Sequence, residues 1–146
     1  MKPMSEDSKL YKYDKLILPV SYRSAAELKK HGEGVGTRYV FSDHKNNPEG
    51  KVYSALRVVK NVKRPPQHVE IHSHSVDSLF MFIGDNDDLT GLQVEVVLGE
   101  KTYILDSPAS VYVPQDVQHA YRFVKGSGKY VNIVLVPGGE YNTAVS

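Results

Sequence analysis

A short segment of the chain concentrates side chains that can bind a metal ion. This segment, HVEIHSHSVDS at residues 68–78, contains three of the six histidines of the protein. If it is a strand, alternate residues share one face. The polar row on that face is then His68, Glu70, His72 and His74. Two imidazoles at positions i and i+2 of a strand lie roughly 7 Å apart at the backbone and can reach one ion. His72 and His74 are therefore candidate metal ligands, and the alternative is a pair of surface or hairpin histidines.

A further histidine opens a later segment with the same kind of pattern. In VYVPQDVQHAY, residues 111–121, a strand ends at Pro114, a tight turn follows, and His119 begins the next strand. His119 and Tyr121 share a face of that strand, because they are two residues apart. Tyr121 is expected either to line a cavity beside His119 and bind substrate, or to be a core tyrosine bonded to the backbone.

Together, HSHSVDSLFMFIG and PASVYVPQDVQHAYRF resemble the two sequence motifs of the cupin superfamily over roughly residues 66–123. His72, His74, Pro114 and His119 occupy matching positions. The resemblance implies an all-β fold, a double-stranded β-helix (jelly-roll) cupin barrel. It also implies one divalent transition metal, Fe(II), Zn, Ni or Mn, held by the three histidines.

The glutamate of the first motif has no clear counterpart. Counting forward from His74 places it at Ser78, whereas counting back from the closing glycine of the motif places it at Asp77. We favour Ser78 because the loop before it is short, in which case Asp77 points away or holds the turn. In the other register Asp77 is a fourth ligand. Pro108 and Asp116 replace glycines of the second motif, and aspartate can also occupy a tight turn.

Other side chains are candidates for the walls of the site. Glu70 lies on the histidine row and could be a general base, a hydrogen-bond partner of a histidine or a substitute ligand; the alternative is a surface glutamate. His68 is expected at the rim, as a substrate-binding residue. Arg57, within the apolar SALRVV, either faces the barrel and binds a substrate carboxylate or lies exposed on the other face. Phe80 and Phe82 are core or pocket wall.

Composition restricts the class of protein. The chain has 146 residues, 40% of them hydrophobic, a net charge of +1 and no cysteine. This length suits one domain, and the charge balance gives no reason to expect nucleic acid or an anionic membrane as partner. Without thiolates, a transition metal must be bound by His, Asp or Glu. No apolar run suits a membrane span and no secretory signal is visible, so we expect a cytoplasmic protein.

The chain divides into a flexible N-terminal arm (1–14), one barrel domain (15–137) and a C-terminal tail (138–146). A short helix is predicted at residues 24–32, where a capping box precedes cations and a final glycine. Strands are predicted where β-branched and aromatic residues cluster between turn residues. They are 16–20, 37–41, 51–62, 68–74, 78–84, 92–98, 101–106, 110–114, 119–124 and 129–136. Hairpins are expected at Gly99-Glu100 and at residues 125–128.

A small metalloenzyme is the favoured function. The substrate would be a small oxygen-rich or carboxylate molecule chelated to the metal, and three neutral histidines favour dioxygenase-like chemistry. The alternatives are a non-redox isomerase or lyase and a non-catalytic module that binds a small ligand or metal. Apolar residues on the outer rows predict a homodimer through the outer sheet. They are Val69, Ile71, Leu79, Met81 and Ile83.

Overall fold

Antiparallel strands make up nearly all of the regular structure. The structure is a computed structural model that describes residues 13–22, 36–63 and 71–136. Apart from one 3₁₀ turn at Asp14–Leu16, these residues form eight strands. They are β1 Ser21–Tyr22, β2 Thr37–Ser42, β3 Val52–Lys63, β4 Ser78–Gly84, β5 Leu92–Leu98, β6 Lys101–Asp106, β7 Ala109–Val113 and β8 His119–Leu135. The predicted all-β fold is confirmed.

The long strand β8 joins two layers. Its second half pairs with β3 on one side and β4 on the other, within the order β1-β2-β3-β8-β4-β7. Its first half pairs with β5, which in turn pairs with β6. Side chains from both layers meet in the larger of two apolar clusters of the described residues. Its members are Val59, Val62, Phe80, Phe82, Leu92, Val94, Val96, Val111, Val113, Tyr121, Phe123 and Tyr130.

Alternation along the strands determines which side chains face this core. In β4, SLFMFIG, burial alternates strictly, so that Ser78, Phe80 and Phe82 point inwards while Leu79 and Met81 are half-buried outside. Burial of each phenylalanine contributes about 1.5–3 kcal/mol. Burial of these rings and of those on β8 determines which face of β4 points inwards. Because Ser78 lies on the same face as Phe80 and Phe82, it also lies in the interior.

The hairpin predicted at residues 125–128 is wrong, because β8 runs through this segment without turning. The glycines here permit close approach between strands. A Cβ on Gly126 would lie 2.0 Å from the carbonyl oxygen of Gly91, and one on Gly128 would lie 2.2 Å from that of Ile83. The predicted turn at Gly99-Glu100 is confirmed, with Gly99 at φ 61° between β5 and β6.

Two predicted strands differ from the structure. Residues 16–20 form no strand, and their apolar side chains Leu16 and Ile17 are exposed. Residues 71–74 form no continuous strand. The backbone bends at Ile71, and His72 forms an isolated β-bridge with His119. The predicted helix at 24–32 and residues 68–70 lie outside the described residues. The boundaries predicted for the arm, the domain and the tail stay predictions.

Candidate metal centre

Three buried histidines converge at one end of the barrel. Ring nitrogens of His72, His74 and His119 all lie within 4.8 Å of one another. The ring centroids are 4.6–4.9 Å apart. Each residue is at most 4% exposed. The three imidazoles form a polar cluster next to the apolar core.

Backbone hydrogen bonds hold the two histidine segments together. The amide of His72 donates to the carbonyl of His119 at 3.1 Å, and the amide of His119 donates back to the carbonyl of His72 at 2.8 Å. The carbonyl of His74 accepts from the amide of Asp116 at 2.7 Å. Asp116 has φ 66°, a left-handed conformation that aspartate tolerates in a tight turn. The turn before β8 is thereby fixed against the loop before β4.

In two of the three rings, Nδ1 has a hydrogen-bond partner close by. Nδ1 of His119 lies 3.0 Å from the carbonyl oxygen of Val117, which can only accept, so Nδ1 carries the proton. Nδ1 of His74 lies 3.0 Å from the hydroxyl of Ser78. A proton on Nδ1 leaves Nε2 of a neutral ring with a free lone pair. Nε2 of His119 is buried and has no hydrogen-bond partner among the described residues.

Burial keeps two of these rings neutral. It lowers the pKa of His74 to about 3, with the neighbouring His119 and His72 adding to the effect. It lowers the pKa of His119 to about 4, against the opposing hydrogen bond to Val117. Neutral imidazole is the form that ligates metal ions. At neutral pH His74 and His119 therefore present lone pairs rather than positive charges.

The donor set fits a divalent transition metal. Nε2 of His72 and Nε2 of His74 are 3.1 Å apart. Two nitrogens bound to one ion at about 2.05 Å are separated by about 2.9 Å in octahedral and about 3.3 Å in tetrahedral geometry. A carbonyl or carboxylate that accepts from the second ring nitrogen is typical of metal-binding histidines, and Val117 supplies such an acceptor. The unpartnered Nε2 of His119 is then explained as a ligand atom.

Ser78 and Asp77 lie on opposite sides of the β4 backbone. Ser78 is buried and faces His74, so the serine occupies the inward position next to the triad. The carboxylate of Asp77 accepts hydrogen bonds from the hydroxyl of Tyr112 and, at 2.8 Å, from the amide of Gln115. These bonds, that of Tyr112 foremost, lower the pKa of Asp77. Asp77 holds the turn and does not join the histidine group.

Aromatic side chains form the wall behind the histidines. The ring of Phe80 lies 5.5 Å from that of His119 and 5.9 Å from that of Tyr121. Phe82 lies deeper, stacked on Tyr130 at 5.1 Å. Tyr121 is fully buried, which raises its pKa to about 12 despite Arg57 nearby. The structure thus places Phe80 beside the histidines, and Phe82 and Tyr121 in the aromatic core beyond it.

Arg57 faces the interior of the barrel and is 5% exposed, so the outward alternative is excluded. It lines a small cavity together with a second buried arginine, Arg38, which sequence reasoning missed. Asn132 lines it too. Sequence reasoning missed Asn132 as well. Each of the two alternates with a valine on the inward face of its strand, Arg38 with Val40 and Asn132 with Val134. A polar residue at such an inward position is the sequence signal that could have identified them. Glu70 and His68 lie outside the described residues.

The barrel topology and the inward histidines agree with the jelly-roll fold that the resemblance implies. Solved structures of other proteins share this fold. An oxalate decarboxylase from Bacillus subtilis, a protein with Mn(II) centres, aligns with 84% of this chain and 30% of its own at TM-score 0.52 and 15% identity. Hydroxypropylphosphonic acid epoxidase from S. wedmorenis aligns over 80% of this chain and 55% of its own, at TM-score 0.52 and 13% identity.

A cupin superfamily protein from Desulfitobacterium hafniense DCB-2 aligns over 68% of this chain and 75% of its own, at TM-score 0.49 and 16% identity. The chain thus spans under a third of the oxalate decarboxylase and about half of the epoxidase. No protein-family model and no curated protein matches the sequence. In the part of the chain that the structure describes, no helix has the length and apolar character needed to cross a membrane. At these identities the likeness establishes the fold alone.

Proposed function

We propose that the chain is a metalloenzyme that binds one divalent transition metal through His72, His74 and His119 and acts on a small oxygen-rich or carboxylate substrate. The observation that supports this proposal is the convergence of three buried imidazoles, of which burial keeps those of His74 and His119 neutral. Both solved proteins with the same fold and a TM-score above 0.5 described above are enzymes by name, an oxalate decarboxylase and an epoxidase.

The ligand set determines the charge of the site. Ser78 occupies the inward position where a carboxylate ligand would cancel one positive charge, so a bound ion keeps its full double charge. Such a site attracts an anionic, chelating substrate. A divalent ion would supply Lewis-acid activation, and Fe(II) would add oxygen chemistry. We therefore favour a dioxygenase-like reaction.

The surrounding side chains determine what else can enter. Phe80 closes the site towards the core and excludes water from that side. Ser78 orients His74, and the carbonyl of Val117 orients His119. Glu70 stays the predicted general base, two residues before His72 on the chain. The cytoplasmic location and the absence of nucleic-acid or membrane partners also stay predictions.

The proposal is tested first by metal analysis of protein purified under anaerobic conditions. We expect about one equivalent of a divalent transition metal per chain, and its loss in His119→Ala. The matched control is His44→Ala, because His44 is exposed in a surface turn. Equal trace metal in wild type and His119→Ala would contradict the metal site and, with it, every metal-dependent function.

Oxygen consumption then separates the reaction classes. We expect Fe(II)-loaded protein to consume oxygen with at least one member of a panel of β-diketones, thiols and α-hydroxy acids. Substrate conversion without oxygen consumption, with Mn, Zn or Ni bound, would replace the dioxygenase by an isomerase or lyase. Stoichiometric metal with no conversion of any compound would favour the non-catalytic binding module.

A further inference from the structure

A small cavity lies within the barrel, where side chains of β2, β3 and β8 meet. Its volume is about 20 Å³. Arg57, Tyr121 and Asn132 supply polar groups to its lining, and Ala55 lines it as well. Ala55 and Asn132 are direct cross-strand partners on β3 and β8. Because the side chain of Ala55 is small, space remains next to Asn132 that a larger residue at position 55 would fill.

The charged groups that line the cavity have hydrogen bonds within the protein. The guanidinium of Arg38 donates to the hydroxyl of Tyr53 at 2.8 Å. The hydroxyl of Tyr121 has side-chain hydrogen bonds with Arg57 and with Tyr130. The two arginines therefore do not require an anion, and the cavity is too small for an organic one.

Asn132 is the part of the lining that indicates a ligand. It is 6% exposed, and its Oδ1 has no hydrogen-bond partner among the described residues. Its neighbours on the adjacent strands explain this, because Ala55 on one side and Phe80 on the other have no polar side-chain atoms. A buried acceptor without a donor destabilises the folded state. A ligand that donates a hydrogen bond to Oδ1 would remove this cost.

The size and polarity of the cavity select water as that ligand. A cavity can hold one water molecule when its volume is at least roughly 10–15 Å³, and the volume here exceeds this limit. Buried water typically has about three hydrogen bonds to polar groups, whereas apolar cavities stay empty. A guanidinium has several N–H donors, so Arg57 can donate to a water molecule and still bond to Tyr121.

We propose that this cavity binds one internal water molecule, which donates to Oδ1 of Asn132 and accepts a hydrogen bond from Arg57. The water connects β8 to β3 across the space next to Ala55. Asn132 is also the cross-strand partner of Phe80, whose ring lies 5.5 Å from that of His119. The water thus completes the hydrogen bonding behind the aromatic wall of the histidine centre. It uses none of the three histidines and binds in metal-free protein as well.

A high-resolution crystal structure of the full chain tests the position of the water. We expect one density peak of the size of a water oxygen within about 3.2 Å of Oδ1 of Asn132 and of a guanidinium nitrogen of Arg57. A cavity without density, or density too large for a single water molecule, would overturn the proposal. This test uses the wild type and does not depend on the folding of any variant.

Oxygen-17 relaxation dispersion counts the water molecules that are held inside the protein in solution. A chelator is added so that water on a bound metal does not contribute. Ala55→Val fills the cavity with methyl groups and Asn132→Leu removes the acceptor, so we expect each variant to hold one internal water fewer than wild type. Ala109→Val is the matched control, because it adds the same methyl groups on β7, away from the cavity lining. A wild-type count in folded Ala55→Val and Asn132→Leu would overturn the site.

Discussion

Ser78 lies with its hydroxyl 3.0 Å from Nδ1 of His74, at the inward position next to the three histidines. Both residues are at most 2% exposed, so water does not compete strongly for this hydrogen bond. When the hydroxyl accepts a proton from Nδ1, the lone pair of Nε2 is free on the side of the other histidines. A serine here orients a ligand without adding negative charge to the site.

Replacement of Ser78 by alanine is therefore expected to weaken metal binding. Loss of a partner that orients a ligating histidine typically reduces metal affinity about 10–100-fold. Competition with a chromogenic chelator measures the affinity of the folded variant. Ser110→Ala is the control, since Ser110 lies on the neighbouring strand opposite the outward Met81. Wild-type affinity in Ser78→Ala would show that the serine does not position His74.

The histidines could be predicted from sequence, whereas the choice between Ser78 and Asp77 could not be settled there. The spacing of His72, His74 and His119, with Pro114 before the last of them, resembles a known motif. In β4, however, apolar residues occupy both faces, so alternation does not reveal which face is inside. The inward face depends on contacts from elsewhere, above all the bonds of Asp77 to Tyr112 and Gln115.

The strands, too, could be predicted from sequence only where the signal is local. Strands such as β4, β5 and β6 match their predicted bounds, because alternation and flanking turn residues are local features. The error at residues 125–128 arose because glycine indicates a turn and a close approach equally well in sequence. Only the partner strands distinguish the two, through the carbonyls of Gly91 and Ile83 that face Gly126 and Gly128. Arg38 was missed because β2 has apolar residues on both faces, Val40 on one and Tyr39 on the other, so its alternation with Val40 does not reveal which face is inside.

Asp77→Asn separates a structural aspartate from a metal ligand. The carboxylate accepts from Tyr112 and Gln115, and an amide cannot accept on both of its atoms. We expect a melting temperature lower by a few degrees and an unchanged metal content per chain. The melting temperature is followed by circular dichroism and the metal by elemental analysis. Loss of metal with retained folding would place Asp77 among the ligands instead.

The metal-free protein is expected to lose stability as pH falls below about 6.5. His74 and His119 bind protons in the unfolded chain near their usual pKa, but in the folded chain only near pH 3 and 4 respectively. Between these values the unfolded state binds more protons, so the free energy of unfolding rises with pH and falls on acidification. Each histidine contributes a slope of about 1.4 kcal/mol per pH unit in that window.

Urea denaturation in the presence of a chelator, at pH values between 6.5 and 4.5, measures this slope. In His74→Asn we expect a slope smaller by the share of one histidine, because asparagine does not titrate. His44→Asn is the control, since His44 is exposed. A slope that is identical in wild type and His74→Asn would contradict a depressed pKa at His74.

A homodimer is expected through the outer face of the larger sheet. Apolar side chains continue in register across four strands, from Tyr39 to Leu56, Val131 and Met81. None of these side chains is in the barrel core, and Tyr39 is 37% exposed. A self-complementary apolar row of this kind suits the isologous contact of a two-fold dimer. Multi-angle light scattering should give the mass of two chains.

Val131→Glu places a charge in the middle of this row and should convert the dimer into a folded monomer, because an unpaired charge is costly at an apolar contact. The matched control is Ile104→Glu, which adds the same charge on β6 at an exposed position. Circular dichroism shows whether each variant is folded. A wild type that elutes as a single monomeric species over a wide concentration range would refute the dimer, and a dimeric, folded Val131→Glu would place its interface elsewhere on the molecule.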